Sequence, residues 1–222
     1  MQNERVDVYT EVHKGLRREL GNWVGRIGRL DAENGHEIKQ AHSDFQALST
    51  MLTTHAKHEE RWVHPLLSAC APDLVVDLER EHNEHDARFD AAVEDFDKLK
   101  DGNSDAPWAL QQSLYRKFSS FCGHYLVHLG REEDEAMPAL QRAHSDEELL
   151  GLSAEIRGST PPADMGIFLS AMIPAMNVEE RVLMFGGMKV NAPKEVFDGV
   201  CGLASNVLNN DEWGVICDRV GI

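Results

Sequence analysis

The chain has 222 residues and a mass of 24.9 kDa, with 42% hydrophobic and 27% charged residues. That length buries a sizeable core without disulfides and suits one or two domains, and the composition excludes a disordered or fibrous chain. A formal charge of −16 with no basic patch argues against nucleic acid or an anionic membrane surface as partner.

From Val6 to about Asp31, Val8, Val12, Leu16, Leu20, Trp23, Ile27 and Leu30 recur every three or four positions, which predicts a first helix. Gly21, Gly25 and Gly28 weaken it, unless they let a neighbouring helix approach closely. After the Asn34-Gly35 turn, a second helix is expected over about 37–69, with Phe45, Leu48, Leu52, Trp62 and Leu66 on one face. A third fits Pro72 to Leu99, and a fourth fits Pro107 to about Arg142 beyond the polar loop 101–105. Four long helices joined by short connections predict an all-α, up-and-down antiparallel four-helix bundle. Beyond Ser145 the pattern breaks into short helices over about 146–157, 163–174, 178–188, 193–207 and 210–219. We therefore expect a bundle over 1–144 and an accessory helical region over 145–222. Met165, Met172, Met176, Met184 and Met188 fall in that region, as core filler or as a surface for a partner subunit.

Cys70, Cys122, Cys201 and Cys217 show no Cys-x-x-Cys spacing, and no signal segment or membrane-length apolar run is present. These features predict reduced thiols in a cytoplasmic protein.

Histidine is the unusual entry in the composition: all 11 lie at or before His144. The stretch His55-Ala56-Lys57-His58-Glu59-Glu60-Arg61-Trp62-Val63-His64-Pro65-Leu66-Leu67 aligns without gaps on His128-Leu129-Gly130-Arg131-Glu132-Glu133-Asp134-Glu135-Ala136-Met137-Pro138-Ala139-Leu140. Both read His-x-x-x-Glu-Glu-x-x-x-x-Pro-x-Leu. Each is preceded on the previous helix by another histidine, His13 and His82. Positions i and i+4 share a helix face, so His55 projects with Glu59 and His128 with Glu132. Ionisable groups on the inner stripe of two helices are costly to bury unless a metal compensates them. Four imidazoles and two carboxylates exceed one tetrahedral ion and suit two six-coordinate ions bridged by the carboxylates. The donor set fits iron, manganese or zinc.

His58, His85 and His124 lie one turn from these positions, as additional ligands or, more in keeping with their spacing, as outer support or surface residues. His36, His42, His64 and His144 fall near helix ends and are expected to be exposed. Tyr125 and Cys122 sit close to His128 along the chain without a spacing that singles them out. Competing templates fail: Trp62 occupies the place where a zinc-protease His-Glu-x-x-His needs its second histidine, and a ferritin-like Glu-x-x-His is found within a predicted helix only at Glu79–His82.

The pattern His13, His55-x-x-x-Glu59, His82, His128-x-x-x-Glu132 resembles the hemerythrin family in its HHE cation-binding form, over about residues 5–143. The resemblance implies two non-haem iron ions in the bundle, with His13, His55, His82 and His128 as imidazole ligands and Glu59 and Glu132 as bridging carboxylates. Oxygen-carrying hemerythrins have a further histidine where this chain has Asp86, and an aspartate where it has Glu133. His85 or Asp86 is a candidate to complete the set. The poorer histidine set is similar to bacterial hemerythrin-like proteins and implies open positions for a small diatomic or peroxide ligand: dioxygen, hydrogen peroxide or nitric oxide. The expected function is binding or reduction of such an oxidant. The alternative is a metal- or oxygen-responsive sensor acting without turnover, its C-terminal helices docking a protein partner or a second copy of the chain.

Overall fold

The computed structural model describes residues 5–222, and every regular element among them is helical. Helix α1 covers Thr10–Arg29 and α2 covers Gly35–His58. A π-helical turn, Glu59–Val63, then leads without a break into α3, His64–Ser68. Next come α4, Pro72–Lys100, and α5, Pro107–Arg131, which runs through a second π-helical turn, Glu132–Ala136, into α6, Met137–Ala143. The remaining helices are α7, Asp146–Ser159; α8, Pro162–Ala175; α9, Val178–Asn191; α10, Lys194–Val207; and α11, Asn210–Val220. No helix among the described residues is long and apolar enough to cross a membrane.

The chain divides into two compact units. Residues 5–10 group with Glu19–Ser159, and Glu11–Arg18 groups with Thr160–Ile222. The division after Ser159 falls within the Gly158-to-Pro162 break, so α7 belongs with the bundle.

In the first unit, local chemistry sets the helix ends. The Asn34 side chain accepts a hydrogen bond from the Glu37 amide and caps α2. Pro72 and Pro107 occupy first-turn positions, where a missing N–H costs nothing. Gly102 closes α4 with φ +68°, a conformation that glycine adopts without strain. Of Gly21, Gly25 and Gly28, the three that weakened the first helix, only Gly28 faces a neighbour at close range, since a Cβ there would meet the Tyr115 ring at 3.2 Å. Gly21 faces nothing within 4 Å and Gly25 only Arg29 of its own helix, so close packing explains one of the three.

The bundle core is aromatic. Phe45 of α2 meets Trp23 of α1 edge-on at 4.9 Å between ring centroids, Phe89 of α4 stacked at 5.6 Å, and Phe118 of α5 edge-on at 5.5 Å. One side chain thus touches all four long helices, and each such burial contributes roughly 1.5–3 kcal/mol. A second core follows further along the helices, where Val63, Leu67, Leu78, Met137 and Leu140 pack with Leu149 and Leu152 of α7. His55, Glu59, His128 and Glu132 lie on the helix segments between these two cores.

The second unit has its own core of Ile173, Phe185, Val200, Ala204 and Ile216, with Met184 and Met188 packed against it. Met176 is buried as well, so these three methionines act as core filler. This unit contains a repeat of its own. Helices α8 and α10 are both 14 residues long, and each is followed by an Asn-x-x-Glu capping box, Asn177 with Glu180 and Asn209 with Glu212, at a spacing of 32 residues.

Candidate metal centre

The repeated sequence Glu-Glu-x-x-x-x-Pro builds the same local structure twice. Pro65 and Pro138 have no N–H to donate, and in an α-helix the proline ring would collide with the carbonyl four residues earlier. The chain answers by widening one turn. The His64 amide bonds the Glu59 carbonyl, and the Met137 amide bonds the Glu132 carbonyl, five residues back in both cases. Each π-helical turn therefore begins at the carboxylate that the repeat had marked, and such turns recur at functional sites because they re-aim side chains.

The imidazoles close on those carboxylates from three helical segments. His55 Nε2 lies 3.1 Å from Glu59 Oε1, His82 Nε2 3.3 Å from Glu59 Oε2, and His128 Nε2 3.2 Å from Glu132 Oε1. His82 Nε2 is also 4.0 Å from Glu132 Oε1 and 3.0 Å from His128 Nε2. Glu59, His82, His128 and Glu132 each offer one donor atom, all within 4.8 Å of one another, and His55, Glu59 and Glu132 meet the same limit. The two groups share the glutamates. Glu132 is 0% exposed and Glu59 3%, so two carboxylates sit side by side out of water. A divalent cation compensates that arrangement, and imidazole with carboxylate oxygen is a donor set suited to iron, manganese or zinc. The donors fit a metal ion. His13, on α1, is completely buried, and its turn is grouped with the second unit.

Outer contacts fix which nitrogen faces the centre. His128 Nδ1 lies 2.8 Å from Glu81 Oε2, so this nitrogen donates to the carboxylate and Nε2 is the one turned to Glu132, where it would hold a metal once it gives up its proton. Arg131 holds Glu81 at 2.7 Å and is itself held by Asp77 at 3.0 Å and Glu135 at 3.1 Å. On the neighbouring imidazole, His82 Nδ1 lies 3.5 Å from Glu60 Oε1, the second glutamate of the first repeat.

The electrostatics follow from burial and these partners. Burial pulls the His128 pKa down, but hydrogen bonding and charge from Glu132, with Glu59 and Glu81, outweigh it and raise the value to about 9. His82 behaves alike: burial opposes the charged form and the Glu59 hydrogen bond overcomes it, for a net upward shift. His85 goes the other way, to about 4, because burial and the nearby His128 and His82 all disfavour its cation. Burial opposes ionisation of Glu81, yet hydrogen bonds from His128 and Arg131 hold its pKa below the usual carboxylate range.

Of the outlying histidines, His85 is buried with its ring 4.9 Å from that of His128, whereas His58 is half-buried and His124 exposed. Asp86 is exposed. Among the four expected at the surface, His36 is exposed, and His42 and His144 are half-buried, near Asp97 and Glu148. His64 overturns its expectation. It is 3% exposed and stacks on His82 at 5.5 Å between ring centroids, because the π-helical turn before it sets the His64 side chain inward. Burial lowers its pKa.

Glu81 also went unmarked by the pattern, since its bond to His128 spans 47 residues. Tyr125, which spacing did not single out, is buried with its ring 5.2 Å from His85 and 6.0 Å from His128. Tyr9 is buried where burial first, then the charges of Glu132 and Glu59, raises its pKa. A pocket of about 30 Å³ opens beside the centre, lined by His82, His85 and Tyr125 and by the apolar Leu52, Phe89 and Phe121.

Comparison with known proteins agrees with this geometry. The family model described as the hemerythrin HHE cation-binding domain matches residues 5–140. No curated protein and no solved structure matches the chain. With the match spanning more than half of its length, the chain belongs to the hemerythrin HHE cation-binding domain family.

Proposed function

We propose that this protein holds two non-haem iron ions and uses them to bind or reduce a small oxidant: dioxygen, hydrogen peroxide or nitric oxide. In this reading His13 and His55 would hold one ion, His82 and His128 would hold the other, and Glu59 and Glu132 would be shared between them. The observation that carries the reading is the buried glutamate pair shared by two groups of donors. An iron pair so held supplies one-electron redox chemistry and open positions for an exogenous ligand.

The remaining work falls to the chain. Glu81 keeps the His128 proton on Nδ1 and so presents Nε2 to the site. The pocket supports a ligand of two heavy atoms, because about 30 Å³ holds one or two water-sized molecules and no organic substrate. Phe89, Phe121 and Leu52 give it an apolar wall, and Thr53, His82, His85, Asp86 and Tyr125 supply its polar groups.

The test is anaerobic loading with ferrous iron, followed by rapid mixing with dioxygen, hydrogen peroxide or nitric oxide. A near-ultraviolet and visible absorption change at about two irons per chain supports the proposal. A protein that takes up zinc alone and stays spectrally silent towards all three oxidants contradicts it.

A further inference from the structure

The two copies of the repeat differ in polarity at one buried position beside the centre. Val63, His64 and Leu67 of the first copy correspond to Ala136, Met137 and Leu140 of the second, and all six are buried, His64 and Met137 each 3% exposed. Met137 is ordinary core, packed with Leu67, Leu78 and Leu140. His64 occupies the matching place with a polar ring. Neither of its nitrogens has a hydrogen-bond partner, and the closest acidic oxygen, Glu79 Oε1, stands 3.8 Å from Nδ1, beyond hydrogen-bond length. Leaving two buried polar atoms unsatisfied is destabilising, and the second copy shows that an apolar side chain fills the same place. The ring instead lies nearly parallel to His82, with 20° between planes. His64 is in neither group of donor atoms, so its ring is placed beside the centre to meet a ligand that a metal there would carry and not to hold the metal itself.

Resting on the reading of the site as a metal centre, we propose that His64 is a positioning residue whose imidazole N–H hydrogen-bonds a small anionic ligand taken up there. His64 donates this bond without ligating metal, and the orphaned imidazole is kept because the occupied site satisfies it. The asymmetry of the repeat then makes the two metal positions chemically different.

The test compares the full-length wild type, His64→Met and His64→Gln. Each is measured for metal content, for metal-free thermal midpoint, and for azide affinity by absorption titration of the iron-loaded protein. Methionine copies the second repeat, so the metal-free midpoint is expected to hold or rise and the metal content to stay at that of the wild type. The azide Kd is expected to rise on the order of tenfold in His64→Met, the cost of one hydrogen bond to a charged group, with partial recovery in His64→Gln. An unchanged azide Kd, a metal-free protein that is destabilised or unfolded by methionine, or the loss of a metal ion would each overturn the assignment. A wild type that takes up no metal would instead fail the metal-centre reading itself, and this assignment with it.

Discussion

Replacing Glu81 with glutamine removes a negative charge from behind His128 while leaving an oxygen that accepts the same hydrogen bond. The Nδ1···Oε2 distance of 2.8 Å is that of a charge-assisted bond, and Arg131 fixes the carboxylate at 2.7 Å, so the side chain is held in place. Loss of such a carboxylate behind a ligating imidazole typically costs ten- to a hundredfold in metal affinity, about 1.4–2.7 kcal/mol. A second effect runs against it. Glu81 also helps to hold the His128 pKa near 9, so the substitution weakens the proton that competes with metal at pH 7. The net loss should therefore be close to tenfold at pH 7 and larger at pH 9, where only about half of the competing His128 cation remains. Zinc titration against a chromophoric chelator at both pH values resolves this. One of two equivalents is expected to weaken, the one at His82 and His128, with the other unchanged. Equal weakening of both equivalents, or of neither, would refute the assignment of Glu81 to a single metal position.

Metal-free stability should depend on pH from both sides of neutrality. His128 is raised from the ordinary 6.5 to about 9, so its contribution, about 3 kcal/mol, is complete below pH 6.5 and is lost as the pH rises through 9. His85 is lowered to about 4, so its contribution is complete above pH 6.5 and is lost as the pH falls through 4. Urea denaturation of chelator-treated protein should thus give a maximum near pH 6.5, and a profile flat from pH 6.5 to 9 would contradict the His128 environment. Glu59→Ala and Glu132→Ala should each lower metal content sharply, as measured by elemental analysis, because both carboxylates are shared between donor groups; full retention in both would make the repeat purely structural. Cys122 is buried, with its thiol pushed up to about 12, so it should be the last of the four cysteines to react with a thiol reagent in the folded protein at pH 8. Reaction of Cys122 at the rate of exposed Cys70 would show that this face of α5 opens.

The helices and the ligand pattern were legible because both depend on short-range spacing. His-x-x-x-Glu places two donors on one face, and the repeat with its downstream proline made chance an unconvincing cause. The π-helical turns were not legible, since one widened turn leaves no mark on a 3.6-residue periodicity, although Pro65 and Pro138 were in view as its physical reason. The same blindness misplaced His64: its position near the end of the second helix suggests exposure, and nothing in the apolar periodicity marks the turn that buries it. Its partner in the repeat, the apolar Met137, was the signal that this position is buried. Glu81 could not be found by spacing, because the residue it supports lies 47 positions away and only the packing of α4 on α5 brings them together. The repeat of α8 and α10 was carried by Asn177-x-x-Glu180 and Asn209-x-x-Glu212, a polar signal hidden by a search for apolar periodicity.

The central claim is a metal pair held by shared glutamates, and the most direct test is elemental analysis of freshly purified protein alongside its absorption spectrum. The account predicts about two iron ions per chain, with a near-ultraviolet band that changes on oxidation. Protein that is folded and metal-free after purification, and that cannot be loaded with iron under anaerobic conditions, would contradict it.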